Sequence, residues 1–334
     1  MKYSVGYRLA DASFLDEVIA CREAISEVYF AWGDFASGRG STLRAEGLTS
    51  WEAQAAQCAD LQRLSDAGIA LNLLLNATCY GRDSQSRAFF EKIGDAVDYI
   101  RSHYGLASVT TTSPLIARFI HENFEGIDVR ASVNVGIGSI DALEYARDVY
   151  DSFYLKRELN RDFNAIREIR RWCDDRGKTL YALANSGCLN HCPAHTFHDN
   201  LVSHESEIAA MDNGYAFEGL CRQYLAREES RRQVLAYTNF IRPEDVQLYE
   251  GLFPALKLAT RTNPHPSRIL RAYIRDGRAS GSALSLLEPD HTAMLYPYLL
   301  ENSRIRAEVR DGRLVYANID EALIKLEEVM YVNQ

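Results

Sequence analysis

The stretch LANSGCLNHCPAHTFHDNLVSHE, residues 183–205, carries two cysteines and four histidines and has little helical or strand periodicity. Thiolates and imidazoles are soft or borderline donors, and three uses for them compete: a metal or iron–sulfur site, a thiol nucleophile with a histidine base, or a disulfide. Cys188 and Cys192 form a C-x3-C pair in a loop, Cys221 follows further along the same segment, and Cys79 ends a distant apolar run in TCYG. Four thiolates without an oxygen-rich partner set suit zinc or an iron–sulfur cluster. His191, His195 or His198 could replace one of them, a mixture that zinc accepts. Solvation or hydrogen bonding in a polar loop is the favoured reading of His191 and His204. Cys188 with His195 or His198 and Asp199 can also be drawn as nucleophile, base and orienting carboxylate. The disulfide reading fits least, because seven cysteines cannot all pair and cytosolic thiols stay reduced. Cys21, Cys58 and Cys173 fall in predicted helices and read as small apolar side chains near a core.

Other chemistries lack their motifs. The chain has no G-x-S-x-G elbow, no P-loop, no H-E-x-x-H and no C-x3-C-x2-C triplet. A net charge of −9 argues against a general grip on phosphate backbones, so nucleic acid is a disfavoured partner. The cluster Arg222, Arg227, Arg231 and Arg232 supplies a candidate local basic patch. No run of about 18 apolar residues is present, which predicts no membrane span, and the opening MKYSVGYRLADASF has no apolar signal core. A cytoplasmic location is therefore expected.

The elements that must position these residues follow a strand–helix rhythm. With 334 residues, 47% of them hydrophobic, the chain can bury a large core. Strand-like runs occur at 3–9, 27–32, 69–76, 108–112, 127–135, 152–157, 179–185 and 255–260. Between them lie amphipathic stretches such as SRAFFEKIGDAVDYIRSHYG, with Phe89, Phe90, Ile93, Ala96, Val97 and Ile100 at helical spacing. NRDFNAIREIRRWCDDRG opens on Asn160 as an N-cap and stops at Gly177. Eight apolar strands alternating with helices predict a (β/α)8 TIM-like barrel of the α/β class, with an open doubly wound sheet as the other option. A barrel gathers its chemistry at the C-terminal strand ends. Those ends supply Ser37 to Arg39, Asn76 and Cys79, Thr110 to Ser113, Ser132 and Asn134, then Arg157, Glu158, Asn160 and Arg161, Asn185 to Cys192, and Thr260 with Arg261. About seventy residues separate the seventh and eighth strands, too many for one helix and two loops. The chain therefore reads as a single barrel domain, 1–334, with a cysteine-containing inserted subdomain at 186–250.

The sequence also resembles the peptidase U32 family. The resemblance is carried by LANSGCLNHC at 183–192, CRQYL at 221–225, FIRPEDVQLYE at 240–250 and KLATR at 257–261, in that order along nearly the whole chain. The segment EVYFAWGDFASGR at 27–39 is similar to one where relatives read AVYFG. The resemblance implies a (β/α)8-type barrel and a [4Fe–4S] cluster held by four cysteines. It also implies oxygen-independent hydroxylation of quinone precursors or RNA bases, and either a peptidase or a non-catalytic assembly partner as alternatives. The family's S-G-R-C cysteine falls on Cys188 in NSGC, and its C-R-W cysteine on Cys221 in CRQY. A further family cysteine, seven positions before the first, is Tyr181 here, so Cys192 and Cys79 are expected to complete the ligand set, with Cys173 as the rival of Cys79. Zinc is the alternative metal. Arg157, Arg161, Asn185 and Arg261 are the candidate catalytic residues, and with Arg130, Asn76 and Asn134 they would hold a small anionic substrate, since guanidinium forks bind carboxylates. A homologous partner chain is a further possibility.

Overall fold

The structure, a computed structural model, describes residues 1–38, 47–212 and 214–326. Arg39, one of the expected strand-end residues, lies outside the described residues. Eight parallel strands close into a barrel in sequence order: β1 Lys2–Gly6, β2 Ile25–Phe30, β3 Ala70–Leu75, β4 Ser108–Thr111, β5 Asp128–Ala131, β6 Ser152–Tyr154, β7 Thr179–Leu183 and β8 Ala255–Leu258. Closure is made where Lys2 to Val5 of β1 pair with Ala255 to Leu258 of β8. The (β/α)8 expectation holds, and each strand lies within or beside an apolar run of the sequence.

Six helices, α1 Ala12–Ala20, α2 Ser50–Asp66, α3 Arg87–Tyr104, α4 Pro114–Asn123, α5 Ile140–Ala146 and α6 Phe163–Asp174, follow the first six strands. Their signals are local. In α3 the Ser86 hydroxyl accepts from Phe89 N, Gly105 ends the helix at φ 74°, and Ile93, Ala96, Val97 and Ile100 are buried. Helix α6 corrects one expectation. Its N-cap is Asp162, whose carboxylate accepts from Ala165 N. Asn160 is instead buried and donates to Leu183 O (2.7 Å) and Asn239 O (3.0 Å), pinning β7 to the segment that follows it. A buried backbone carbonyl needs a partner more than a helix end in water does.

Residues 184–254, between β7 and β8, hold α7 His195–Ser203, α8 Glu205–Ile208, α9 Leu220–Leu225, two shorter helical turns and a 3-10 stretch at Pro243–Tyr249. This segment covers the C-terminal strand ends. After β8 come a short helix at Pro266–Leu270 and, further on, a two-stranded sheet of β9 Tyr298–Leu300 with β12 Leu323–Lys325. A hairpin of β10 Arg306–Arg310 and β11 Arg313–Ala317 completes the described chain. Asp311 and Gly312, at φ 50° and 78°, supply the left-handed pair that a tight two-residue hairpin turn demands.

The barrel interior is polar at its floor. Glu27 Oε1 accepts from Ser4 (2.7 Å), Asn72 (3.0 Å) and Arg130 (2.7 Å), while Arg130 also donates to Asp128 (2.8 Å) and Ser152 (3.1 Å). Burial opposes the Glu27 charge, but Arg130 and the hydrogen bonds outweigh it and hold the carboxyl below its usual range. Above this network lies a layer of rings from Tyr29, Tyr154 and Tyr181; the Arg130 guanidinium stands 3.9 Å from the Tyr181 centroid.

Candidate functional site

The site is organised by the loop that leaves β7. Asn185 is fully buried, donating to Ala259 O (3.0 Å) and Leu286 O (2.9 Å) and accepting from Ala259 N (2.7 Å). It clamps the ends of β7 and β8 to residue 286, so this candidate catalytic residue stands as a strut whose polar atoms are engaged. Gly187 passes so close to the next segment that a Cβ there would lie 2.4 Å from Pro289 O. Its amide donates to Glu288 O (2.8 Å), and its carbonyl faces His291 Nε2 (2.7 Å). Asn239 then fixes the Cys188 carbonyl (3.1 Å). Cys188 is thereby delivered to the barrel mouth, on the wall of a cavity that Asn76, Asn134, Arg157, Lys257 and Arg261 also line.

Cys192 and Cys221 line an adjoining hollow with His191 and Tyr224. Burial raises the Cys221 thiol pKa, and the charges of Cys188 and Cys192 raise it further. Cys79 stands elsewhere. The Ser203 hydroxyl accepts from Thr78 N (3.0 Å), which brings the end of α7 onto the loop after β3 and seats His204 against Cys79. The His204 hydrogen bond and the Gly81 backbone lower the Cys79 pKa; in turn His204 is raised, chiefly by Cys79, and its Nδ1 lies 3.1 Å from Glu207 Oε2. Of the four cysteines expected as ligands, Cys192 and Cys221 thus share one hollow, Cys188 stands on the wall of the neighbouring cavity, and Cys79 has a different neighbourhood. Cys173, its rival, is buried in α6 with its thiol pushed up to about 12 by burial. Among the described residues no group of three or more His, Cys, Asp or Glu side chains converges tightly enough to hold a single metal ion.

The cations divide in the same way. Arg157, at the end of β6, reaches into the mouth, where it donates to Asn134 Oδ1 (2.5 Å) and to His195 of α7, which also faces Asp199 (3.3 Å). Arg157 Nε and the nearby Ser186 hydroxyl are buried and meet no hydrogen-bond partner among the described residues. Arg261 donates to Ser37 (3.3 Å), and Gly6 must be glycine for its side chain to pass, since a Cβ would lie 2.5 Å from Arg261 Cγ. Arg161 faces away from the mouth: it donates to Thr238 O and lies 5.0 Å from the Tyr316 ring, binding the covering segment to the hairpin. Arg130 belongs to the floor network. Of the arginines expected to meet an anion, the mouth thus holds Arg157 and Arg261.

Lys257 is the residue that sequence reasoning missed. It lies on β8, buried, with its ammonium 3.9 Å from the Tyr29 ring centroid and 5.1 Å from that of Tyr154. The signal was a lone cation inside the apolar run ALKLAT, which needs a reason to be buried. Burial pulls its pKa down to about 7; Glu27 opposes this, while Arg261, Arg130 and Arg157 add to it.

Fold and site together define a closed (β/α)8 barrel whose C-terminal mouth pairs a cationic cavity with a cluster of thiols. No family model matches the chain. The uncharacterized protease MJ1657 of Methanocaldococcus jannaschii is 26% identical to it over 254 residues, spanning 74% of this chain and 71% of that protein. Among solved structures, the U32 peptidase Mk0906 aligns with a TM-score of 0.56 at 14% identity, over 79% of this chain and 94% of its own, a likeness of fold. With the motifs quoted above, these two likenesses bear out the resemblance to the peptidase U32 family. No helix among the described residues is long and apolar enough to cross a membrane.

Proposed function

We propose that the protein is an iron–sulfur barrel protein that takes part in an oxygen-independent hydroxylation or related redox modification of a small anionic molecule. The observation that carries this reading is the placement of Cys192 and Cys221 in one hollow beside a cationic cavity whose wall includes Cys188. These three residues would hold the cluster, and their donor chemistry fits it, since soft thiolates are the usual ligands of iron–sulfur clusters. A bound [4Fe–4S] cluster would supply one-electron transfer. The protein's own part is to bind and orient the substrate. Arg157 and Arg261 present guanidinium groups suited to a carboxylate, and the orphaned Arg157 Nε and Ser186 hydroxyl are donors left for a ligand in a place where an unmet buried donor costs about 1–3 kcal/mol.

The test is oxygen-protected purification with added iron and sulfide. Broad visible absorbance that Cys188→Ala, Cys192→Ala and Cys221→Ala each remove, and that Cys79→Ala leaves, is the expected result. Protein that binds one zinc ion in place of iron would overturn the reading.

One observation favours a second reading, a thiol peptidase. Cys79, His204 and Glu207 form a thiol–imidazole–carboxylate chain at the barrel mouth, the order a nucleophile, base and orienting acid require. In that case peptide cleavage would be abolished by Cys79→Ala and untouched by Cys188→Ala.

A further inference from the structure

The mouth contains one chemically reactive group that neither the cluster nor anion binding uses. Lys257 enters the barrel from β8, the strand whose end also carries Arg261, and lies in the same cavity as Arg157. Among the described residues no oxygen accepts a hydrogen bond from its Nζ and no carboxylate pairs with it; its ammonium stands over the ring faces of Tyr29 and Tyr154. A lysine kept only for its charge would be placed beside an acid, as Arg130 is beside Glu27 at 2.7 Å. A lysine set among aromatic rings and three arginines is poised for use as a neutral amine.

We propose that Lys257 is an amine nucleophile that condenses with the carbonyl group of a small 2-oxo acid whose carboxylate is held by Arg157 and Arg261. The Nζ lone pair forms a bond to the carbonyl carbon while the C=O π pair moves to oxygen. That oxygen takes up protons and departs as water, leaving a protonated imine, so the amine, one proton and the ketone become the iminium ion and one water. The geometry supplies both halves of the recognition, since a 2-oxo acid carries its anion one bond from its electrophile. The lowered basicity of Lys257 supports the same role, with roughly half the amine unprotonated near pH 7. The groups that set it are Glu27 and Tyr29 on β2, Arg130 on β5, Tyr154 and Arg157 at β6 and Arg261 after β8.

This inference rests on the anion-binding part of the proposed function and is independent of the cluster. Its test uses the oxygen-protected full chain with pyruvate and sodium cyanoborohydride, followed by peptide mapping by mass spectrometry. The chain has six lysines, Lys2, Lys92, Lys156, Lys178, Lys257 and Lys325, so the map is simple to read. The expected result is reduced adduct on Lys257 at least tenfold above any other lysine, rising as pH passes through 7, suppressed by excess malonate and absent in Lys257→Met. Malonate has the carboxylates without the ketone, and its binding is measured separately by calorimetry. If malonate binds but Lys257 stays unlabelled, or label spreads evenly over the lysines, the amine proposal falls and the anion site stands. If malonate does not bind and nothing is trapped, both fall together. The wild-type map decides the matter even if Lys257→Met fails to fold.

Discussion

The floor and the mouth of the barrel each bury a cation, and they treat it in opposite ways. At the floor Arg130 meets Glu27 at 2.7 Å and Asp128 at 2.8 Å, and Glu27 is further satisfied by Ser4 and Asn72. At the mouth Lys257 is surrounded by rings, with Arg157 and Arg261 close enough to weaken its basicity. The first arrangement closes a network and stabilises the folded chain. The second leaves the Lys257 charge, the Arg157 Nε and the Ser186 hydroxyl unmet among the described residues, as a site must if a ligand is to meet them. What separates structure from function here is therefore satisfaction of polar groups, since the Arg130 and Lys257 cations are both buried.

Mutations should break the two layers in opposite directions. Glu27→Ala leaves the buried Arg130 charge without its main partner and should cost on the order of 3–5 kcal/mol in chemical denaturation. Lys257→Met removes an unpaired buried amine of similar length and should be neutral or should gain about 1–3 kcal/mol near pH 7. The sign of its pH dependence follows from linkage. The folded-state pKa near 7 lies below the unfolded value of about 10.4, so between them the unfolded chain binds more protons and stability rises with pH. Wild type should therefore gain stability from pH 7 towards pH 10 relative to Lys257→Met; a flat difference would remove the contrast between floor and mouth. Gly187→Ala, which sets a Cβ 2.4 Å from Pro289 O, should cost about 1–3 kcal/mol and displace Cys188, read as lost thermal stability together with lost iron. Smallest is Cys79→Ser, at a half-exposed site, with a change within about 0.5 kcal/mol and iron content retained.

The barrel was legible because its signals are short-range: apolar runs of five to nine residues separated by amphipathic helices, with caps such as Ser86 and Gly105. Where reading failed, a long-range contact overrode a local one. Asn160 looks like a helix cap but is spent on Leu183 and Asn239, and Arg161 follows a barrel strand yet turns outward to Tyr316. Cys79 was grouped with the other loop cysteines by position along the chain, and only the seating of Ser203 on Thr78 shows that its neighbour is His204. The hairpin at 306–317 had a readable signal, D-G between alternating strands, that the sequence reading passed over. Lys257 was legible as a charge in an apolar strand, but its role depends on Tyr29, Tyr154, Arg157 and Arg261, which three different strands deliver.

The central claim is that Cys188, Cys192 and Cys221 together hold iron at the barrel mouth. Counting iron and acid-labile sulfide per chain in anaerobically reconstituted protein tests it most directly. About four of each in wild type, falling to near zero in Cys221→Ser, is the result this account predicts. Iron that fails to bind, or that stays bound when Cys221 is replaced, would contradict it.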